Sequence, residues 1–481
     1  MFNPFFRLSP VNECVFLYFY FNVHTRRQVE PHQHIDGLRV GVEDINQAIV
    51  RADLKVLVGI LIDKRRTTYC KTFHLGWQGH RTDDMAGRGM RVLGVAKAAF
   101  AGLELPGELR DFHFEFLGLV GLADPLRPTV SAAVRECLSA GIRVVMVTGD
   151  YPATARAIAD QAGLGVGKPV TGDEIEGFSD AELAERMRNA TVFARIMPEQ
   201  KLRIVNAFKA NGDIVAMTGD GVNDAPSLKA AHIGIAMGGR GTDVAREAAA
   251  IVLLDDDFNS IVRTIRLGRR IYDNLRKAMG YILAVHVPIA GLSLLPLLLG
   301  GPLVFTPVHI AFLEMVIDPV CSIVFEAEAE ESDVMARRPR DPRSPLFSGS
   351  LAAWSLFQGA LVLLLVATIY VVALRNGMPE AEARALTFVS LVFTNVGLIF
   401  ANRSFSASLM TALRRPNAAL WWAIGSATAV MAVVLAWTPA RALFHFGPLH
   451  LDDLALCGGA GVATLLALDL LKPIWRRRLT S

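Results

Sequence analysis

The feature that most constrains the fold is a set of six apolar segments in the second half of the chain. They run roughly from Met279 to Leu299, Leu303 to Phe325, Ala352 to Leu374, Ala385 to Ala401, Ala418 to Trp437 and Leu454 to Leu471. A helix needs ~20 residues to cross a bilayer, and most of these segments approach or exceed that length. In hydrocarbon the backbone must satisfy its own hydrogen bonds, so such segments are expected to be helices. Basic residues orient them. Arg269, Arg270, Arg276 and Lys277 precede the first segment, and Arg337, Arg338, Arg340 and Arg343 separate the second from the third. Arg403, Arg414 and Arg415 separate the fourth from the fifth, and Lys472, Arg476, Arg477 and Arg478 follow the sixth. Every second loop is basic, so these faces, and the region before the first segment, are expected to be cytoplasmic.

The region up to about Arg276 has a different pattern. Short β-branched runs cover Phe116 to Leu122, Arg143 to Val147, Val192 to Ile196, Ile214 to Met217, Ile233 to Ala236 and Ile251 to Leu254. Helical patterns lie between them, near Val130 to Ala140, Ala153 to Gln161, Pro198 to Ala210 and Thr242 to Ala249. This alternation predicts an α/β domain with a parallel sheet covered on both faces. A net charge of only +3 gives no reason to expect a nucleic-acid partner. The 5 cysteines are scattered without a CxxC pair, which fits reducing surroundings.

The densest chemistry is Thr218-Gly219-Asp220-Gly221-Val222-Asn223-Asp224-Ala225-Pro226, directly after the run Ile214 to Met217. Open α/β sheets place their chemistry at the carboxyl ends of strands. Two carboxylates four residues apart, with glycines letting the backbone come close, suit Mg2+ held beside a phosphate. This stretch resembles the hinge motif of P-type ATPases, the cation pumps that phosphorylate themselves on aspartate. Asp124-Pro125-Leu126-Arg127-Pro128, Met146-Val147-Thr148-Gly149-Asp150 and Ala194-Arg195-Ile196-Met197-Pro198-Glu199-Gln200-Lys201 continue the resemblance in register. With the membrane segments it covers roughly Asp83 to Leu471.

The resemblance implies a haloacid-dehalogenase-like (Rossmann-like) parallel sheet domain, incomplete at its start, followed by six transmembrane helices. It implies ATP and Mg2+ as substrate and cofactor. The resemblance implies that Asp220 and Asp224 are the Mg2+ ligands, with Asn223 as polar support, and that Lys201, Thr148 and Gly149 face the phosphoryl oxygens. It also implies that Arg91, Asp124 and Asp150 lie toward the nucleotide, and that Arg127 and Arg195 contact it or hold the loops. Residue types alone leave Asp124 and Asp150 open as caps, Arg127 and Arg195 as surface groups, and Arg91 as an ordinary strand-start arginine.

The organisation expected is 1–82 unassigned, 83–115 the remnant of a nucleotide-binding domain, 116–270 a phosphorylation domain and 271–478 a membrane domain. The family's aspartate-lysine-threonine-glycine-threonine motif is absent, since Ile62-Asp63-Lys64-Arg65-Arg66 lacks its glycine and threonine spacing. A truncated pump is therefore expected, without the nucleophilic aspartate and inactive alone, whose partners include a missing N-terminal half. Val15 to Phe21 is too short to span a bilayer.

Charged groups within a span are costly and usually functional. Glu314 and Asp318 share one face of the second segment, and Pro319 frees carbonyls beside them. The resemblance implies that they hold the transported cation. His286, Asn395 and Thr394 are further candidates, with His286 open as a hydrogen-bonded bundle residue. The reading is an integral protein of a bacterial plasma membrane that couples ATP hydrolysis to cation transport in the complete pump. Its alternatives are an inactive remnant or assembly partner, and a haloacid-dehalogenase-type phosphatase fused to spans.

Overall fold

The computed structural model describes residues 14–19, 56–60, 75–98, 114–165, 167–404 and 414–480. Two compact units emerge, Met1–Val262 with Met335–Pro339, and Arg263–Val334 with Arg340–Ser481.

In the first unit the strands are β1 (Cys14–Phe19), β2 (Val56–Ile60), β3 (Arg91–Ala98), β4 (Phe114–Leu122), β5 (Ile142–Val147), β6 (Val170–Thr171), β7 (Val192–Ala194), β8 (Ile214–Gly219), β9 (Ile233–Met237) and β10 (Ile251–Leu253). Seven of them form one sheet in the order β10-β9-β8-β1-β5-β7-β6, with parallel pairing between neighbours. Val145, Val147, Phe193, Val215 and Met217 pack with Leu183, Ile204 and Phe208 from the covering helices. Each such side chain removed from water contributes about 1.5–3 kcal/mol, which is why the strands read as nearly unbroken apolar runs. Two of the short helices begin with reciprocal caps, Thr171 with Glu174 and Ser179 with Glu182.

Two features differ from the sequence expectation. The run Phe116 to Leu122 is not in the parallel sheet. As β4 it pairs antiparallel with β3, and β2 completes a separate three-stranded sheet. A β-branched run states that a strand exists, but its partner is chosen by long-range packing. The second feature is β1. Cys14–Phe19 came from a stretch without an assignment, yet it fills the place between β5 and β8. Asp63, the aspartate of the imperfect Ile62-Asp63-Lys64 stretch, lies outside the described residues.

In the second unit five helices are long and apolar enough to cross a membrane among the described residues: Phe258–Leu298, Gly349–Arg375, Glu380–Asn402, Ala418–Ala436 and Leu451–Trp475. The expected second span is not one helix. It is built from Pro307–Phe312, a π-helical turn Leu313–Ile317, and Asp318–Glu326. Pro319 has no N–H to donate along the helix, so the backbone widens there. Glu380–Asn402 is the most enclosed span, with 83% of its apolar window buried. It meets the last helix at glycines, where a Cβ on Gly461 would come within 2.7 Å of the Phe393 carbonyl oxygen.

Charges that the sequence reading took for loop markers are buried in this unit. Arg403 donates from Nε to Glu328 Oε2 at 2.8 Å and from Nη2 to Oε1 at 3.2 Å, each side chain being 1% exposed. Asn417 donates to the same carboxylate at 2.9 Å. Lys277 lies 2.9 Å from Glu331, whose other oxygen accepts from Ser404 at 2.8 Å. Buried charges persist only when paired in this way.

Candidate functional site

The first unit gathers the loops after β5, β7 and β8 at one sheet edge. The Thr148 hydroxyl is buried and donates to Asp150 Oδ2 at 2.9 Å, while the Asp150 amide donates back to Thr148 Oγ1 at 3.1 Å. The loop after β7 is tied to the same turn, Arg195 N donating to Asp150 O at 3.0 Å and Ile196 N to Thr148 O at 3.0 Å. Pro198 opens the helix Pro198–Ala210, and Lys201 in its first turn reaches Asp224 Oδ1 at 2.6 Å. Gly221 N donates to the other oxygen of Asp224 at 3.2 Å.

Asp220 stands at the end of β8. Burial pushes its carboxyl up to about 7, and the neighbouring Asp224 charge adds to the rise. Burial also raises Asp150, on which Arg91 and Asp124 act with opposite sign. Two further sequence candidates, Arg91 and Asp124, therefore lie within electrostatic reach of Asp150. Gly149 and Asn223 are exposed, Asn223 within the short 3-10 turn Val222–Asp224. Arg195 has a positive φ of 56° and lies over the Tyr151 ring at 5.6 Å. The guanidinium of Arg127 donates to the Asp256 carbonyl, so its one described hydrogen bond braces a loop. Asp256 was missed in the sequence. Its carboxylate accepts from Gly239 N at 3.0 Å and Arg240 N at 2.9 Å, and no motif marks it.

An all-oxygen, carboxylate-rich donor set at a strand end fits Mg2+. Gly219 is part of that fit, because a Cβ there would come within 2.6 Å of Asp224 Cβ. Gly219→Ala should displace Asp224 and weaken Mg2+ binding by on the order of 10-fold, with calorimetric titration as the check. An unchanged affinity would show that Asp224 is not needed where it stands.

In the second unit His286 and Glu314 come together. His286 Nε2 lies 3.1 Å from Glu314 Oε1 and 3.2 Å from Oε2, and Nδ1 lies 2.7 Å from the Ile282 carbonyl. A carbonyl only accepts, so Nδ1 donates. Glu314 sits in the π-helical turn. Asn395 is wholly buried, and neither Nδ2 nor Oδ1 has a hydrogen-bond partner. An unpaired buried polar atom costs about 1–3 kcal/mol, so an orphaned amide invites a bound cation or water. Thr394 spends its hydroxyl on the Leu391 carbonyl at 2.8 Å. Asp318 begins the helix after the π turn, and its side chain lies outside the described set.

A parallel α/β domain with this loop set and a helical membrane unit define an integral membrane protein with a haloacid-dehalogenase-like domain. The family of haloacid dehalogenase-like hydrolases matches residues 36–232, reaching back into the stretch left unassigned, and the cation transporting ATPase C-terminus family matches 302–474. The chain is 38% identical over 365 residues to the calcium-transporting ATPase of Bacillus subtilis, covering 75% of this chain and 41% of that protein. It is 41% identical over 283 residues to calcium-transporting ATPase 1 of Bacillus cereus, covering 58% and 32%. It is 42% identical over 274 residues to the cation-transporting ATPase pma1 of Synechocystis, covering 56% and 30%. The family matches and these relatives support part of a P-type cation-transporting ATPase, and the chain spans less than half the length of these relatives.

Proposed function

We propose that this chain carries the phosphoryl-handling site and the cation site of an ATP-driven pump, most like the bacterial calcium-transporting relatives. The carrying observation is the His286–Glu314 contact at the π turn, 3.1 Å across two membrane segments. A carboxylate, an imidazole and the orphaned Asn395 amide offer the oxygen and nitrogen ligands a desolvated cation needs. Asp318 is a further ligand on this reading. In the first unit Asp220 and Asp224 hold Mg2+, which neutralises phosphate charge. Lys201 sets a point charge on the phosphoryl oxygens, and Thr148 and Gly149 donate hydrogen bonds to them. Arg91, Asp124, Arg127, Asp150, Arg195 and Asn223 position the ATP. The alternation of basic loops supports a cytoplasmic first unit, and the bacterial relatives support insertion in a bacterial plasma membrane.

Transfer to protein requires an aspartate that we do not find in the described strands, so in this reading the pump cycle needs a nucleophile from outside this chain's central strand. Cation binding tests the membrane half directly. Purified chain in detergent is titrated with Ca2+ and Mn2+ in separate calorimetric runs. Glu314→Gln should weaken the bound ion by at least about 10-fold, since it removes the charge that balances the cation. Equal affinities in parent and variant, for every ion that binds, would sink the assignment.

A further inference from the structure

In the second unit a cavity of about 480 Å3 lies where three spans end. Its wall comes from the end of Gly349–Arg375 and from the starts of Glu380–Asn402 and Leu451–Thr480. Leu365, Ile369, Val372 and Asn376 line it at spacings of four, three and four, so they form one helical stripe. A rise of 1.5 Å per residue makes that stripe about 16 Å long. Leu386 and Leu456 add to the apolar wall. Thr368 also lines it, but its hydroxyl is spent on the Leu364 carbonyl at 2.7 Å.

The polar groups gather at one end. Asn376 closes the stripe, and Glu382 and Asp453 stand in the first turns of their helices. Asp453 Oδ2 accepts from His450 N at 2.9 Å and lies 3.5 Å from His450 Nδ1, which leaves Oδ1 uncommitted. Among the described residues the Glu382 carboxylate has no hydrogen-bond or ion-pair partner, and no lysine or arginine lines the cavity. A cation at that end would be held strongly, because the apolar wall lowers the local dielectric. A metal ion alone would leave the long apolar stripe uncovered, and a neutral acyl chain would leave the carboxylates unpaired. An amphiphile with a cationic head satisfies both. The ends of spans are also the level at which lipid headgroups stand. Arg375, exposed and one residue before Asn376, brings positive charge to the same end.

We propose that this cavity holds one phospholipid with a zwitterionic primary-amine headgroup, of the phosphatidylethanolamine type. Its ammonium donates to Glu382 and Asp453 in charge-assisted hydrogen bonds. Its phosphate meets Arg375, and one acyl chain runs along Leu365, Ile369 and Val372. The headgroup is selected by its N–H donors and its charge. A trimethylated ammonium has no N–H to donate, and an anionic headgroup without an amine meets two like charges. The site shares no residue with the His286–Glu314 contact.

The test uses the full chain in detergent and native mass spectrometry. Dioleoyl phosphatidylethanolamine, phosphatidylcholine and phosphatidylglycerol are titrated in separate runs. Phosphatidylethanolamine should bind at least about 10-fold more tightly than either of the others. Glu382→Gln combined with Asp453→Asn should erase that preference and leave phosphatidylcholine binding unchanged. Val372→Trp, at a position 47% exposed, should fill the stripe and lower phosphatidylethanolamine binding by a similar factor. It leaves both carboxylates in place and keeps the test decisive if the double variant misfolds. Equal binding of the three lipids means annular contact only and overturns the proposal. So does a preference that survives removal of the carboxylates, or binding that ignores Val372→Trp. Octylammonium that binds as tightly as the phospholipid, with Arg375→Gln without effect, also overturns it, in favour of a free lipophilic amine.

Discussion

Replacing Arg403 by methionine should destabilise the membrane unit by about 3–5 kcal/mol. Arg403 and Glu328 are each 1% exposed and joined by two hydrogen bonds. Removing the cation leaves the Glu328 carboxylate with the Asn417 amide as its remaining side-chain donor among the described residues. A buried carboxylate in that state either remains charged against poor solvation or takes up a proton, and both cost free energy. The double change Arg403→Met with Glu328→Leu should recover most of the loss, because an apolar pair of similar volume carries no desolvation penalty. Chemical denaturation in detergent, followed by helical circular dichroism, gives both values. A single-variant loss below about 1 kcal/mol would show that water reaches the pair.

Asp220→Asn should reverse sign with Mg2+. In the metal-free protein the Asp220 carboxyl is raised to about 7. The folded state then holds its proton more tightly than the unfolded chain, so this group's contribution is fully present below the unfolded carboxylate range. It is lost as pH rises through about 7. An asparagine does not titrate. The variant should therefore match the parent near pH 4 and exceed it by about 1–2 kcal/mol near pH 8, a figure reduced for the partial exposure of the site. Saturating Mg2+ should invert the order, since a ligand at about 100 times its Kd stabilises the parent by roughly 2.7 kcal/mol and leaves the variant unmoved. Melting temperatures at the two pH values, with and without Mg2+, decide it. Equal Mg2+-induced shifts in both proteins would remove Asp220 from the metal site.

The pairing of Lys201 with Asp224 has a partial sequence signature. Both sit in motifs at strand ends, and a parallel sheet brings such ends to one edge whatever their separation along the chain. The proposed membrane site was legible in part for a different reason. Glu314 is conspicuous because charge in an apolar segment is expensive. Asn395 is less so, and its orphaned amide is visible only when its neighbours are known. Asp256 carried no signal, because its role is to accept amides of Gly239 and Arg240, distant in sequence.

The sequence by itself determined the α/β character of the first unit and the helical character of the membrane unit. These follow from local period, length and residue type. Tertiary structure alone decided that Cys14–Phe19 is the central strand, that Phe114–Leu122 pairs in a separate sheet, and that Arg403 is buried against Glu328. It also decided that His286 faces Glu314. Each of these joins residues remote in sequence, and a strand or a charge selects its partner by the desolvation and packing it meets, which no local pattern encodes.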